Sequence, residues 1–234
     1  MSRPELPEQD PDAAPFNPIP PAVVALVAVI LGIEVLFTLG ARGLIGDATA
    51  VGWRLGAIQD WGYIDAVFEW MRETGRWEPE QVARFLTYPL LHLGFTHALF
   101  VIVFILAIGK IVAEVFGNLA FLVIFWLSAV LGALAYGLIL NEEAALVGGY
   151  PGVYGLIGAF TFMMWSDLTE MGENRARAFV LIGVLLSVQL VFSLAFGGTN
   201  QWVADLSGFA VGFAASFLFV PGALKRLLDR LRQR

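Results

Sequence analysis

The side chains able to do chemistry in this chain are few, and most are set against an apolar background. Glu34, His97 and Asp205 fall inside long hydrophobic runs, and His92 lies five residues before His97. An ionisable group in such a run is costly to bury, turns to the protein interior or to water, and is functional by default. His97 could be a general base or a satisfied buried group. Asp205 could serve a reaction or act as a polar tie between helices. Glu34 could be a carboxylate near the interface or a buried polar group. The three together could also form the proton path of a transporter or channel subunit. Cysteine is absent and only two histidines occur, so no thiolate site, disulfide framework or multinuclear metal centre is expected, and no cofactor.

The runs themselves decide the class. Of 234 residues 58% are hydrophobic and 15% charged, against about 25% charged in an average soluble domain. The mean hydropathy is +0.75. A bilayer can accommodate that much apolar surface and a soluble fold of this size cannot. The expectation is an all-α polytopic membrane protein. A net charge of −6, without a basic stripe interleaved with aromatics, argues against nucleic acid as a partner.

Along the chain, residues 1–21 are acidic and proline-rich, which predicts an extended or disordered tail. They lack the short basic lead-in of a signal peptide, so the first apolar run, Ala22 to Leu39, reads as a retained span. A membrane domain over 22–221 then holds six spans. The others are Gly94 to Ala113, Asn118 to Leu140, a shorter segment Pro151 to Trp165, Phe179 to Phe196, and Val203 to Val220. Residues 40–84 form a long first loop with Trp53, Trp61, Tyr63, Trp70 and Trp77, aromatics typical of the headgroup level. Within it, Trp61, Ile64, Phe68 and Met71 recur at helical spacing, which fits either a short interfacial helix or a cover over the end of the bundle. Residues 222–234 place Leu224, Leu227, Leu228 and Leu231 on one face between cations, the pattern of a tail lying on anionic membrane lipids.

Small residues let helix backbones touch in lipid, where packing drives association. Gly208, Gly212 and Ser216 stand four apart in the sixth run, and Gly155 and Gly158 lie near the start of the fourth. Two closely packed helices are predicted.

These pieces, in this order, resemble the rhomboid family of intramembrane serine proteases, in detail over roughly residues 80–220. The best match runs from Arg84 to His97, Arg84-Phe85-Leu86-Thr87-Tyr88-Pro89-Leu90-Leu91-His92-Leu93-Gly94-Phe95-Thr96-His97. It is similar to the family's entry into the second span. Gly109 and Gly117 resemble the outer glycines of its G-x-x-x-E-x-x-x-G motif, with Ala113 at the glutamate position and Glu114 next to it. Gly148-Gly149-Tyr150-Pro151, then Gly152-Val153-Tyr154-Gly155-Leu156-Ile157-Gly158, resembles the Gly-x-Ser-Gly that opens the fourth helix, with Tyr150 at the nucleophile. Asp205 stands where the family has its catalytic histidine, and Val101 where it has an oxyanion-hole asparagine. His97 alone survives of the four polar parts.

The mismatch does not depend on the alignment. No serine occurs between residues 129 and 165, and no histidine follows His97. Acylation needs a nucleophile with a base in hydrogen-bond reach. A tyrosine, with an ordinary pKa near 10, stays protonated, and a carboxylate is a weak base. The resemblance therefore implies a pseudoprotease that binds transmembrane segments of client proteins without cleaving them, with an active intramembrane serine endopeptidase and a transporter subunit as the alternatives. It also implies that Tyr150, Asp205 and His97 converge on one polar pocket. The expected tie there is a hydrogen bond to Asp205 from Tyr150 or His97.

An even number of spans puts both termini on one side, with Arg3, Lys110, Arg175, Arg177 and the five cations of the tail. The short loops near Asn141 to Val147 and Gly197 to Trp202 carry none, although the five arginines of the long first loop oppose the trend. The positive-inside rule makes both termini cytoplasmic, in a bacterial-type inner membrane. Reporter fusions at either end should therefore read as cytoplasmic, and a tag near Trp61 as external. A periplasmic C-terminal reporter would overturn this topology.

Overall fold

The structure is a computed structural model that describes residues 18–140, 142, 144–196 and 200–219. The proline-rich residues 1–17 and the basic tail at 220–234 lie outside the described residues. Four helical stretches are long and apolar enough to cross a membrane, each close to a predicted span. They are α1 (Pro21–Ala41), a stretch that includes α5 and α6, α7 (Asn118–Ile139) and α10 (Trp202–Phe219). A proline in the first turn starts α1, where a missing N–H costs nothing. In the second stretch α5 (Phe95–Phe104) passes through a π-helical segment, Ile105–Gly109, into α6 (Lys110–Phe116). Gly109 is needed there, because a Cβ would come 2.7 Å from the Phe121 ring of α7.

The fourth and fifth predicted spans are α8 (Tyr150–Glu170) and α9 (Val180–Phe196). The fourth is longer than the sequence suggested, continuing past Trp165 to Glu170. Every residue from Pro151 to Ala159 is buried, so α8 is the central post of the bundle. It packs mainly on α10 and α7, while α9 makes its close backbone approaches chiefly to the turn just before it.

The predicted small-residue contacts occur. A Cβ on Gly208 would meet the Pro151 carbonyl, and one on Gly212 would lie 2.6 Å from the Gly155 Cα. On the other side of the seam a Cβ on Gly158 would lie 2.7 Å from the Phe213 nitrogen. Ser216 is buried and returns its hydroxyl to the Gly212 carbonyl at 2.7 Å.

The long loop is three short helices, α2 (Trp53–Trp61), α3 (Asp65–Thr74) and α4 (Pro79–Thr87). The pattern Trp61, Ile64, Phe68, Met71 is not one helix, since α2 ends at Gly62. Trp61 is exposed, whereas Phe68 and Met71 are buried with Tyr63, Phe85 and Tyr136. Phe68 and Met71 thus help to cover the bundle end. Tyr63 and Leu146 exchange backbone hydrogen bonds of 3.2 and 2.9 Å, an isolated antiparallel bridge. Arg84 of α4 donates to the carbonyls of Gln59 and Gly62 at 2.8 and 2.9 Å.

Glu34 is a buried group, 1% exposed. The Arg54 guanidinium meets it with two bonds of 2.7 Å and donates a third, of 2.6 Å, to the His92 carbonyl. Thr38 adds a hydroxyl at 3.1 Å. Such a two-pronged pair is the strong form of a salt bridge.

The glycine seam can be checked directly. Gly212→Leu should lower the thermal midpoint in detergent by the equivalent of at least ~1–3 kcal/mol, since backbone cannot move aside as a side chain can. Gly183→Leu in α9, where a Cβ meets nothing within 4 Å, should be close to neutral. Equal effects at the two sites would show that the contact is not a packing constraint.

Candidate functional site

The site forms where the start of α8, the start of α5 and the first turn of α10 meet. Gly148 adopts φ +100°, and a Cβ there would lie 2.7 Å from His97 Cε1, so glycine is required on both counts. Gly149 follows under the Val101 side chain, whose Cγ1 would be 3.0 Å from an added Cβ. Pro151 then sets the first turn of α8. Tyr150, at the helix start, lies nearly flat on the His97 ring, with centroids 5.2 Å apart and planes at 27°.

Both histidines are engaged. His97 Nδ1 accepts a hydrogen bond from the Leu93 N–H at 3.2 Å, which leaves the ring proton on Nε2. His92 is 1% exposed, sits edge-on to His97, and its Nε2 accepts a long hydrogen bond, 3.5 Å, from the Gly149 N–H. Of the backbone groups leading into α8, three offer no free donor. The Gly149 N–H goes to His92, the Gly148 N–H goes to the Tyr88 carbonyl at 3.1 Å, and Pro151 has none. Val101, fully buried, presents methyl groups where an amide would be needed.

Asp205 is buried at 4% exposure. The expected bond to it from Tyr150 or His97 does not form. Instead Gln189 of α9 donates Nε2–H to Asp205 Oδ2 at 2.8 Å, and the Tyr154 hydroxyl donates to Gln189 Oε1 at 3.4 Å. The reason is geometric. Gln189 reaches across from α9 and occupies Oδ2, while the Tyr150 ring lies on that of His97. Gln189 was missed in the sequence, although it is the one amide in the run Val180–Phe196.

The convergence itself holds. His97, Tyr150 and Asp205 line one cavity of about 280 Å³, together with Tyr154, Gln189 and Gln201. Its remaining wall is apolar, Phe104 of α5 facing Leu185 and Val188 of α9. Glu34 does not line it. Ser128, the nearest serine before the segment that lacks them, sits buried against Gly155 in the α7–α8 seam and does not line it either. The cavity thus holds two phenols, an imidazole and a carboxylate, and among the described residues no serine hydroxyl.

With this geometry in view, comparison with known proteins gives the family. The profile of the Rhomboid domain matches residues 79–222, and the chain belongs to the rhomboid family, an integral membrane protein of helical fold. It is similar to Rhomboid-like protease 3 of Toxoplasma gondii, at 31% identity over 57% of this chain and 50% of that protein. It is similar to Rhomboid-like protease 1 of the same organism, at 30% identity over 59% of this chain and 47% of that one. Inactive rhomboid protein 1 of Danio rerio is 30% identical over 67% of this chain, but over 18% of its own length. The chain thus spans half or less of the length of these relatives.

Burial lowers the His92 pKa from 6.5 to about 4, and the neighbouring His97 pushes the same way. Between those values the unfolded chain binds more protons than the folded one, so stability falls as pH drops from about 6.5 towards 4. The detergent melting temperature should decline over that window, and His92→Gln should flatten the decline. A pH-independent midpoint in the parent protein would remove His92 from this role.

Proposed function

We propose that this chain is a rhomboid pseudoprotease that binds transmembrane segments of client proteins and does not cut them. The observation that carries this is Tyr150. It occupies the position that corresponds to the nucleophile, and its ring is laid on the one surviving histidine. The other features agree with it. Asp205 is a hydrogen-bond acceptor engaged by Gln189, Val101 supplies no donor, and the Gly148 and Gly149 N–H groups are occupied. Removing a nucleophile or base costs several orders of magnitude in the known hydrolases, and here the nucleophile, the base and the oxyanion donor are all replaced.

What remains is suited to binding. The cavity has a polar floor and an apolar side between α5 and α9, and α9 makes its close backbone approaches chiefly to the turn before it. A membrane-embedded segment could reach the floor through that side. The charge pattern of the loops favours both termini in the cytoplasm, with the basic tail on the adjacent lipid surface.

The test is chemical. The purified protein should fail to react with a fluorophosphonate probe, and it should crosslink to neighbouring membrane proteins in native membranes. Tyr150→Ser alone should restore no cleavage of a generic rhomboid substrate. Labelling of the parent protein, or proteolysis by the single variant, would establish an active endopeptidase.

A further inference from the structure

The cavity floor holds a buried acid with one oxygen bonded, and this bears on what binds there. A carboxylate offers about four acceptor positions. Asp205, almost fully buried, has one oxygen bonded to Gln189 and, among the described residues, no donor on the other. Among the described residues no lysine or arginine lines the cavity. Two cations nearer the bundle are engaged elsewhere, Arg54 with Glu34 and Lys110 with Glu114. The carboxylate orients the Gln189 amide, drawing its N–H₂ to 2.8 Å and leaving Oε1 to the Tyr154 hydroxyl at 3.4 Å. That leaves the second oxygen turned to the cavity, whose apolar wall is Phe104, Leu185 and Val188.

We propose that the client segment bound here carries a basic side chain within its membrane-spanning run, and that Asp205 receives it. This rests on the client-binding reading above and adds the recognition element. A lone lysine or arginine in a membrane helix is costly, and such residues pair with acids inside a bundle. Pairing relieves that cost for the client and supplies the missing donor for Asp205. Discrimination follows from the same charge: an apolar segment leaves the carboxylate half-satisfied, and an acidic one is repelled.

The experiment uses the full-length protein in phosphatidylethanolamine and phosphatidylglycerol vesicles, with a photoreactive side chain in place of Val188. Three synthetic transmembrane peptides are compared, identical except for leucine, lysine or aspartate at one mid-span position, each in several registers. The lysine peptide should crosslink at least about tenfold better than the leucine peptide, the size expected of a buried charge-assisted hydrogen bond, and the aspartate peptide least. Asp205→Asn should abolish the lysine preference, bringing the lysine and leucine peptides to similar yields. Equal yields for lysine and leucine peptides would overturn the proposal but leave client binding standing. No crosslinking of any peptide would overturn both. The peptide comparison needs only intact Asp205, so it decides the matter even where Asp205→Asn fails to fold.

Discussion

The contact on which the rest of this molecule depends is backbone against backbone, between α8 and α10. In lipid there is no hydrophobic drive to bring helices together, and close approach through small residues replaces it. Gly208 and Gly212 lie on the carbonyls of Pro151 and Gly155, and Gly158 on the backbone at Phe209 and Phe213. A third helix joins the seam: Gly132 of α7 comes so close to α10 that a Cβ would stand 2.7 Å from the Ala204 carbonyl. This fixes the rotation of α10 about its axis. Asp205, three residues before Gly208, is carried to the side of α8 and into the cavity. The position of the carboxylate is thus a consequence of how the helices pack, and it survives whether or not the residue there does chemistry.

The second anchor is electrostatic. Glu34 and Arg54 join α1 to the first loop, and the same guanidinium holds the His92 carbonyl. A buried pair of this kind is weak evidence for added stability, since desolvation opposes the attraction, yet loss of either partner leaves an unpaired charge inside the protein. Its structural effect is clear: it sets the stretch from Leu91 to Gly94, and so the two histidines, against the start of α8.

The sequence made the spans legible, because apolar length is a direct signal, and it made the glycine seam legible, because four-residue spacing is local. It also brought Tyr150, His97 and Asp205 to one pocket through the family resemblance. The partners of the charged groups were not legible. Gln189 with Asp205, and Arg54 with Glu34, are pairings across loops, and no periodicity marks them. The break of the first-loop pattern at Gly62 was hidden for a related reason. Helical spacing of apolar residues counts positions and does not register where one helix stops and another begins, so Trp61 was grouped with Phe68 although the two belong to different elements.

The bridge between Tyr63 and Leu146 has a bearing on biosynthesis. Glu34 and Arg54 are close in the chain and can find each other soon after both are made. The first loop has a different timetable. Its bridging partner is Leu146, and the Tyr63 hydroxyl packs against Gly137 of α7. Chains are made from the N-terminus at about 5–20 residues per second, so Phe68, Met71 and Phe85 emerge well before α7 and the segment beyond it. Until then their apolar surface has no bundle end to cover. The loop helices must wait for those partners, so the cover closes late in the making of the chain.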